Sequence, residues 1–142
     1  MSRFVVDASV AIKWFLPEPH DDCAARLRRT AGGLDAPDLL HAEVAGALWK
    51  RVRRRELGAA AAERIVDALA RLPIESHPAR LLAAAALRIA RATGLTVHDY
   101  LYLATALLTD GTLVTADRSI VEAARRRAPL RDRVLWIGDV PA

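Results

Sequence analysis

The stretch RFVVDASV, residues Arg3–Val10, decides the fold class of this sequence. Its apolar run Arg3–Val6 predicts a buried β-strand, and the residues that follow predict a short helix over about Ser9–Phe15. Asp7 therefore stands between the two elements, at the carboxyl end of the strand. Because parallel α/β sheets bind ligands beyond the carboxyl ends of their strands, Asp7 is the first candidate site residue.

Short strand patterns alternate with helical patterns along the rest of the chain. Further strands are predicted at Leu34–Ala36, Pro73–Ser76, Leu113–Thr115 and Arg133–Ile137. Helices are predicted over Asp21–Thr30, Leu39–Arg55, Gly58–Leu72, Pro78–Thr93, Val97–Leu108 and Ser119–Arg127, with Gly94 as a C-cap. This alternation predicts an α/β fold, a doubly wound parallel sheet of four to five short strands, as one domain over residues 1–142.

Composition excludes several classes of protein. The 142 residues are 53% hydrophobic and 27% charged, which is typical of a compact globular chain rather than a disordered one. No apolar run approaches the roughly 18 residues of a transmembrane helix. Asp7 and Lys13 interrupt the first apolar segment, so a signal peptide is not expected. The single cysteine, Cys23, excludes an internal disulfide or a cysteine zinc site and suits a reducing cytoplasm.

The charge balance favours an anionic partner. The chain has 21 basic and 17 acidic residues, a net charge of +4 with histidine neutral. A surplus of positive charge raises the local concentration of anions such as nucleic acids, although it names none of them.

Four acidic residues stand out because of their positions. Asp7 and Asp117 follow predicted strands, Glu43 lies on the buried face of its helix, and Asp99 heads the almost wholly apolar helix VHDYLYLATALL, Val97–Leu108. If these carboxylates converge at one end of the sheet, they cannot all stay ionised without a cation, since their pKa values would otherwise rise. Hard oxygen ligands suit Mg²⁺, or Mn²⁺ in its place, better than Zn²⁺. An acid-only metal site suits phosphoryl transfer.

Three of these acids also have a local explanation at a helix start. Asp7 can cap the short helix that follows it, and Asp99 lies three residues after Thr96 in the spacing of a capping box. Asp117 can cap the next helix, although Ser119 with Glu122 is itself a capping box and is expected to cap it instead. Glu43 has a different alternative, an ion pair with Lys50 or Arg51, two helical turns away.

Four segments together resemble a known family. FVVDASV (Phe4–Val10), PDLLHAEV (Pro37–Val44), TVHDYLYLA (Thr96–Ala104) and LVTAD (Leu113–Asp117) are similar, in order, to the successive motifs of PIN-domain ribonucleases. They resemble in particular the small VapC-type toxins of bacterial toxin–antitoxin modules. The resemblance covers nearly the whole chain.

The resemblance implies a fold, an activity and partners. The expected fold is a PIN-like α/β/α sandwich, and the expected activity is that of a metal-dependent endoribonuclease. The expected partners are an RNA substrate, a co-encoded antitoxin that inhibits the enzyme, and a second copy of the chain in a homodimer. The expected location is the cytoplasm.

The resemblance also implies roles for particular residues. The acidic, metal-binding pocket comprises Asp7, Glu43, Asp99 and Asp117, of which Asp7 and Asp99 are the expected direct metal ligands. Ser9 and Thr115 match the hydroxyl positions beside the acids and are expected to orient a carboxylate or water. The alternative for both is an ordinary turn hydroxyl.

A basic run at the end of the third helix is a candidate phosphate-binding surface. The run Lys50–Arg55 offers Arg51, Arg53, Arg54 and Arg55 to RNA phosphates, whose contacts position a strand without reading its sequence. The alternative is a solvated helix end whose charges favour the helix dipole.

Two other enzyme or signalling classes need residues that this sequence lacks. A phosphate-receiving signalling domain needs a second acid beside the first, and a haloacid-dehalogenase-type phosphatase needs an aspartate where Ser9 stands. A non-catalytic interaction module, in which the acids hold a structural cation, stays open. Within the nuclease interpretation, a housekeeping RNA-processing enzyme also stays open.

Overall fold

The protein is described over residues 2–142 by a computed structural model. The strands are β1 (Arg3–Val6), β2 (Gly33–Pro37), β3 (Ile74–His77), β4 (Thr112–Thr115) and β5 (Val134–Trp136). The α-helices are α1 (Ala8–Ala11), α2 (Asp21–Thr30), α3 (Leu39–Arg53), α4 (Ala59–Ala70), α5 (Ala79–Thr93), α6 (Val97–Thr109), α7 (Arg118–Arg125) and α8 (Ala128–Arg131). Two 3₁₀ turns, Ile12–Trp14 and Ile137–Asp139, complete the elements of this part of the chain.

The strands form a parallel sheet in the order β3-β2-β1-β4-β5, flanked by helices. This arrangement confirms the predicted α/β fold with a parallel sheet. The chain winds from β1 through β2 to β3 on one side and returns to β4 and β5 on the other side of β1. The junction of β1 and β4 is therefore the topological switch point, where such sheets open a crevice at their carboxyl ends. Asp7 follows β1 and Asp117 lies two residues beyond β4, so both acids lie at this crevice.

Several element boundaries differ from the predictions. Helix α1 is one turn long and continues as a 3₁₀ turn, where a single helix over Ser9–Phe15 was predicted. Helix α3 ends at Arg53 rather than Arg55, because Arg55 adopts a left-handed conformation with φ of 59°. The short helix α8, which has a proline in its first turn, was not predicted. Gly94, with φ of 88°, ends α5 as a left-handed C-cap, as predicted.

Helix α6 packs on β1, β2 and β4 and forms much of the core. Tyr100–Ala106 are buried, which explains the apolar sequence of this helix. Leu107 and Leu108 at its end are exposed by 40% and 62%, so the helix is not buried all round. No helix within residues 2–142 is long and apolar enough to cross a membrane.

An ion pair around the buried Asp35 joins β1 to β2 and β3. Asp35 on β2 is 1% exposed and accepts two hydrogen bonds from the Arg3 guanidinium, at 2.8 and 3.0 Å. His77 at the end of β3 lies 2.8 Å from the same carboxylate. Burial raises the pKa of Asp35, but the hydrogen bonds and charges of Arg3 and His77 outweigh it and hold the pKa below its ordinary value.

Candidate active site

Asp7 is the buried centre of the site. It is 6% exposed and lies between β1 and α1, where it is the N-cap of the helix. Its Oδ1 accepts hydrogen bonds from the Ser9 hydroxyl and, at 3.1 Å, from the Val10 N–H. Its Oδ2 accepts one from the Thr115 hydroxyl on β4. The Val10 contact is the expected capping bond, whereas the Thr115 contact joins residues 108 positions apart and no cap requires it.

The two hydroxyls are themselves held by backbone groups. Ser9 Oγ accepts a hydrogen bond from the Ala116 N–H at 3.1 Å, and Thr115 Oγ1 accepts one from the Asp117 N–H at 3.0 Å. Each hydroxyl oxygen therefore accepts from the chain just after β4 and donates its proton to Asp7. Together they fix the orientation of that carboxylate across the switch point between β1 and β4.

The environment of Asp7 disfavours its negative charge. Burial raises the pKa of Asp7 to about 6, although the hydrogen bonds from Ser9, Thr115 and Val10 oppose the change. The negative charge of Asp117 also raises this pKa. A nearby cation would therefore stabilise the ionised form of Asp7.

Asp117 makes its local contacts at the start of α7. Asp117 is exposed and caps α7 by accepting from the Ser119 N–H at 2.9 Å and the Ser119 hydroxyl at 2.6 Å. The expectation that Ser119 with Glu122 would cap this helix is wrong, because the helix begins one residue earlier, at Arg118.

Asp99 is half-buried in the first turn of α6. Thr96, the N-cap, accepts from the Asp99 N–H at 3.2 Å and donates to Asp99 Oδ2 at 2.7 Å. The capping contact expected from the spacing is therefore present. It occupies one carboxylate oxygen, so a cap and a metal ligand are compatible roles for this residue.

Glu43 is held by a residue that the sequence did not single out. The Tyr102 hydroxyl, on α6, donates a hydrogen bond to Glu43 Oε1 on α3. The alternative pairing of Glu43 with Lys50 or Arg51 is wrong, because Arg51 pairs with Glu18 instead. Tyr102 is 3% exposed and lies one helical turn after Asp99, a spacing that places both on one side of α6. That spacing is the signal that could have found it.

The negative charges of three of the four acids affect the Tyr102 hydroxyl. Burial, the hydrogen bond to Glu43, and the negative charges of Glu43, Asp7 and Asp99 all raise the pKa of its hydroxyl. Of these acids Glu43 contacts the buried phenol directly, and the charges of Asp7 and Asp99 act on it in the same direction. Within residues 2–142, no three or more of the His, Cys, Asp and Glu side chains lie together as a group that could hold a metal ion.

The donor chemistry nevertheless fits a hard divalent cation. The site offers carboxylate oxygens and hydroxyls, and its central carboxylate carries a charge that burial disfavours. Mg²⁺ is commonly held by only one or two carboxylates, with waters and substrate phosphates completing its six ligands. An open group of acids suits that mode of binding better than a closed cage does.

The basic run is only partly free to contact a ligand. Arg51 is paired with Glu18, and the Arg53 guanidinium lies 5.9 Å from the centre of the exposed Trp49 ring. Arg55 is exposed, whereas Arg54 lines a cavity of about 370 Å³. The lining of this cavity is Glu43, Gly46, Ala47, Lys50, Arg51, Arg54 and Glu56. One cavity along α3 therefore leads from a site carboxylate to the basic run.

Comparison with known proteins assigns this arrangement to a family. Residues 4–126 match the PIN domain, a span that includes all four acids and both hydroxyls. The chain belongs to the PIN domain family. This membership confirms the resemblance found in the sequence motifs.

Curated PIN domain relatives align over most of their length. Ribonuclease VapC3 of Pyrobaculum aerophilum is 35% identical over 124 residues, which are 84% of this chain and 93% of that protein. Ribonuclease VapC9 of Mycobacterium tuberculosis is 31% identical over 126 residues, which are 89% of this chain and 94% of that protein.

Solved structures share the PIN domain fold. A crystal structure of a Pyrobaculum aerophilum protein superimposes with a TM-score of 0.70 at 25% identity, covering 96% of this chain and 85% of that one. A toxin–antitoxin complex from Klebsiella pneumoniae contains a chain with a TM-score of 0.63 at 16% identity, with coverage of 95% and 96%. At that identity the likeness concerns the fold alone.

Proposed function

We propose that this protein is a metal-dependent endoribonuclease that hydrolyses RNA phosphodiesters and acts as the toxin of a toxin–antitoxin module. The observation that supports this best is the buried Asp7 carboxylate at the switch point, which the Ser9 and Thr115 hydroxyls orient. The substrate class is supported by the curated relatives, which are named ribonucleases. An RNA substrate also suits the net positive charge of the chain.

Each site residue has a distinct part in this proposal. Asp7 and Asp99 hold Mg²⁺, or Mn²⁺ in its place, and Glu43 and Asp117 complete the negative pocket. When bound there, the cation would supply an activated water and would neutralise charge on the reacting phosphate. Ser9 and Thr115 keep the Asp7 carboxylate in one orientation, and the Tyr102 hydroxyl does the same for Glu43.

The proposed partners follow from the family and from the surface. We expect inhibition by a co-encoded antitoxin, because the motifs and the curated relatives are of the VapC type. We also expect a homodimer in the cytoplasm. Four exposed leucines on α5 and α6 are candidates for the dimer contact: Leu81, Leu87, Leu107 and Leu108.

The proposal is tested by incubating purified protein with cellular RNAs in Mg²⁺, in Mn²⁺ and in EDTA. Cleavage within the RNA that requires either metal supports the nuclease, and its absence from every RNA would favour the non-catalytic module. Expression in a growing bacterial host then separates the toxin from a housekeeping enzyme. A toxin should arrest growth, and co-expression of a small neighbouring reading frame should relieve the arrest.

A further inference from the structure

Three side chains beside the acids form a stack that the proposed chemistry does not use. The Arg118 guanidinium lies over the indole ring of Trp136, 3.8 Å from its centre. The His20 ring meets the same indole edge-on, with ring centres 4.9 Å apart and planes at 73°. We refer to Arg118, Trp136 and His20 as the Trp136 stack.

The stack lies next to the site because of strand register. Trp136 at the end of β5 pairs with Thr115 at the end of β4, so their side chains lie on the same face of the sheet. Thr115 in turn donates to Asp7 beside β1. Since neighbouring strands are about 4.8 Å apart, the Trp136 backbone lies roughly 10 Å from β1. Arg118 directly follows Asp117.

The indole is held firmly in place. A Cβ at Gly138 would lie 2.0 Å from Cζ3 of Trp136, so the ring rests against the Gly138 backbone and a larger residue there would displace it. His20, at the start of α2, has φ of 65°, a left-handed conformation in which histidine is tolerated more often than most residues. Trp136 is half-buried, whereas His20 and Arg118 are exposed.

Arg118 keeps its binding capacity although it is stacked. Among residues 2–142, no carboxylate lies within ion-pair distance of its guanidinium. Contact with Trp136 restricts the movement of the guanidinium, and because Arg118 is exposed its N–H donors stay accessible to a ligand. A side chain ordered in advance loses less entropy when a ligand binds.

We infer that the Trp136 stack binds the base of a nucleotide next to the scissile phosphate, with the base stacked on the outer face of Arg118. Unpaired RNA bases stack on arginine planes and on aromatic side chains, and a duplex does not expose its bases in this way. The stack would therefore restrict cleavage to single-stranded RNA and favour particular bases at one position. This inference rests on the proposed ribonuclease function and adds a specificity-determining site to it.

The test measures binding of a short single-stranded RNA to the Asp7→Asn protein, in which cleavage is removed. One base at a time is replaced by an abasic ribose. When Arg118 is intact, removal of the base at one particular position should weaken RNA binding about tenfold, which is the usual size of a base–aromatic contact. Arg118→Lys keeps the charge and removes the plane, so it should lose sensitivity at that position. Arg125→Lys, on the same helix and exposed, is the matched control.

The possible results are distinct. If Arg118→Lys leaves the abasic profile unchanged, the stack only supports the fold and the inference is wrong. A uniform loss of affinity at every position, with the sensitivity to the missing base retained, would make Arg118 a bidentate phosphate contact and would also overturn it. If the wild-type chain neither binds nor cleaves any RNA in Mg²⁺, the proposed function itself fails. Melting temperatures of each variant check that the fold is intact.

Discussion

The Thr115 hydroxyl on β4 donates a hydrogen bond to the carboxylate of Asp7, the residue that follows β1. This contact joins the two strands at which the winding of the sheet reverses. It orients the most buried acid of the site, and it does so with a neutral group that leaves the negative charge uncompensated. The site is therefore built around an oriented carboxylate whose charge has no cationic partner among residues 2–142.

Tyr102→Phe should reduce RNA cleavage about tenfold, since one hydrogen bond that positions Glu43 is lost. The melting temperature should change little, because the ring keeps its packing. The Mg²⁺ concentration for half-maximal activity should rise, which a purely structural role would not produce.

The matched control is Tyr100→Phe on the same helix. Tyr100 is fully buried, and its hydroxyl has no hydrogen-bond partner within residues 2–142. Removing that hydroxyl should therefore be neutral or slightly stabilising and should leave cleavage unchanged. Equal activities in the two variants would show that Tyr102 does not position the site.

Divalent cations should raise the melting temperature of the wild-type protein. A cluster of acids binds cations mainly in the native state, so Mn²⁺ or Mg²⁺ at about 100 times its Kd should add roughly 5–10 °C. Asp7→Asn should lose most of that increase. Ca²⁺ should also stabilise the fold but support little cleavage, because it is larger and its geometry is looser. A melting temperature insensitive to every divalent cation would contradict the metal site.

The basic run should contribute through phosphates if it contacts RNA at all. Replacing Arg53, Arg54 and Arg55 with Gln should then weaken RNA binding by a similar factor for all sequences. The slope of the logarithm of the binding constant against the logarithm of the salt concentration should become shallower by about 0.7 for each lost phosphate contact. We expect Arg54 to contribute most, because it shares a cavity with Glu43. Arg88→Gln with Arg91→Gln, exposed on α5, is the control. A salt dependence equal to that of the wild type would identify the run as a solvated helix end.

The Asp35 ion pair should make stability depend on pH. The folded-state pKa of Asp35 lies below its unfolded value, so its contribution is present above the unfolded pKa. That contribution is lost as the pH falls through the folded pKa. Asp35→Ala should cost about 1–3 kcal/mol at pH 7, and the difference from the wild type should shrink in acid. Urea unfolding between pH 7 and pH 3 measures it, and a constant difference would refute the account.

Strand-end acids could be predicted from the sequence, whereas long-range partners could not. Asp7 and Asp117 follow apolar strands, and the alternation of strands with helices is enough to bring such positions to one edge of a sheet. Tyr102 lies within a run of core residues, and its partner Glu43 is 59 positions away on another helix. The spacing from Asp99 places Tyr102 on the same side of α6 as that acid, but it does not indicate the hydrogen bond to Glu43.

The ion-pair partners of cations and the exact ends of helices could not be predicted from the sequence either. Arg51 pairs with Glu18, which lies 33 positions away in the sequence, so the run Lys50–Arg55 has fewer cations available to a ligand than its sequence suggests. The Trp136 stack combines residues from three distant segments and gave no signal in the sequence. Asp117 rather than Ser119 caps α7, because two cap candidates stood two positions apart and only the folded backbone distinguishes them.

The most direct test of the account is the cleavage of single-stranded RNA by Asp7→Asn beside the wild type, in Mg²⁺ and in EDTA. Asparagine keeps the shape of the side chain and removes the charge, and Asp67→Asn, exposed on α4, controls for the loss of one carboxylate. We predict that wild type and Asp67→Asn cleave only with metal, and that Asp7→Asn is slower by several orders of magnitude. Asp7→Asn should be at least as stable as the wild type in EDTA, because a disfavoured buried charge is gone. Wild-type turnover by Asp7→Asn, or undiminished cleavage by the wild type after exhaustive chelation, would contradict the account.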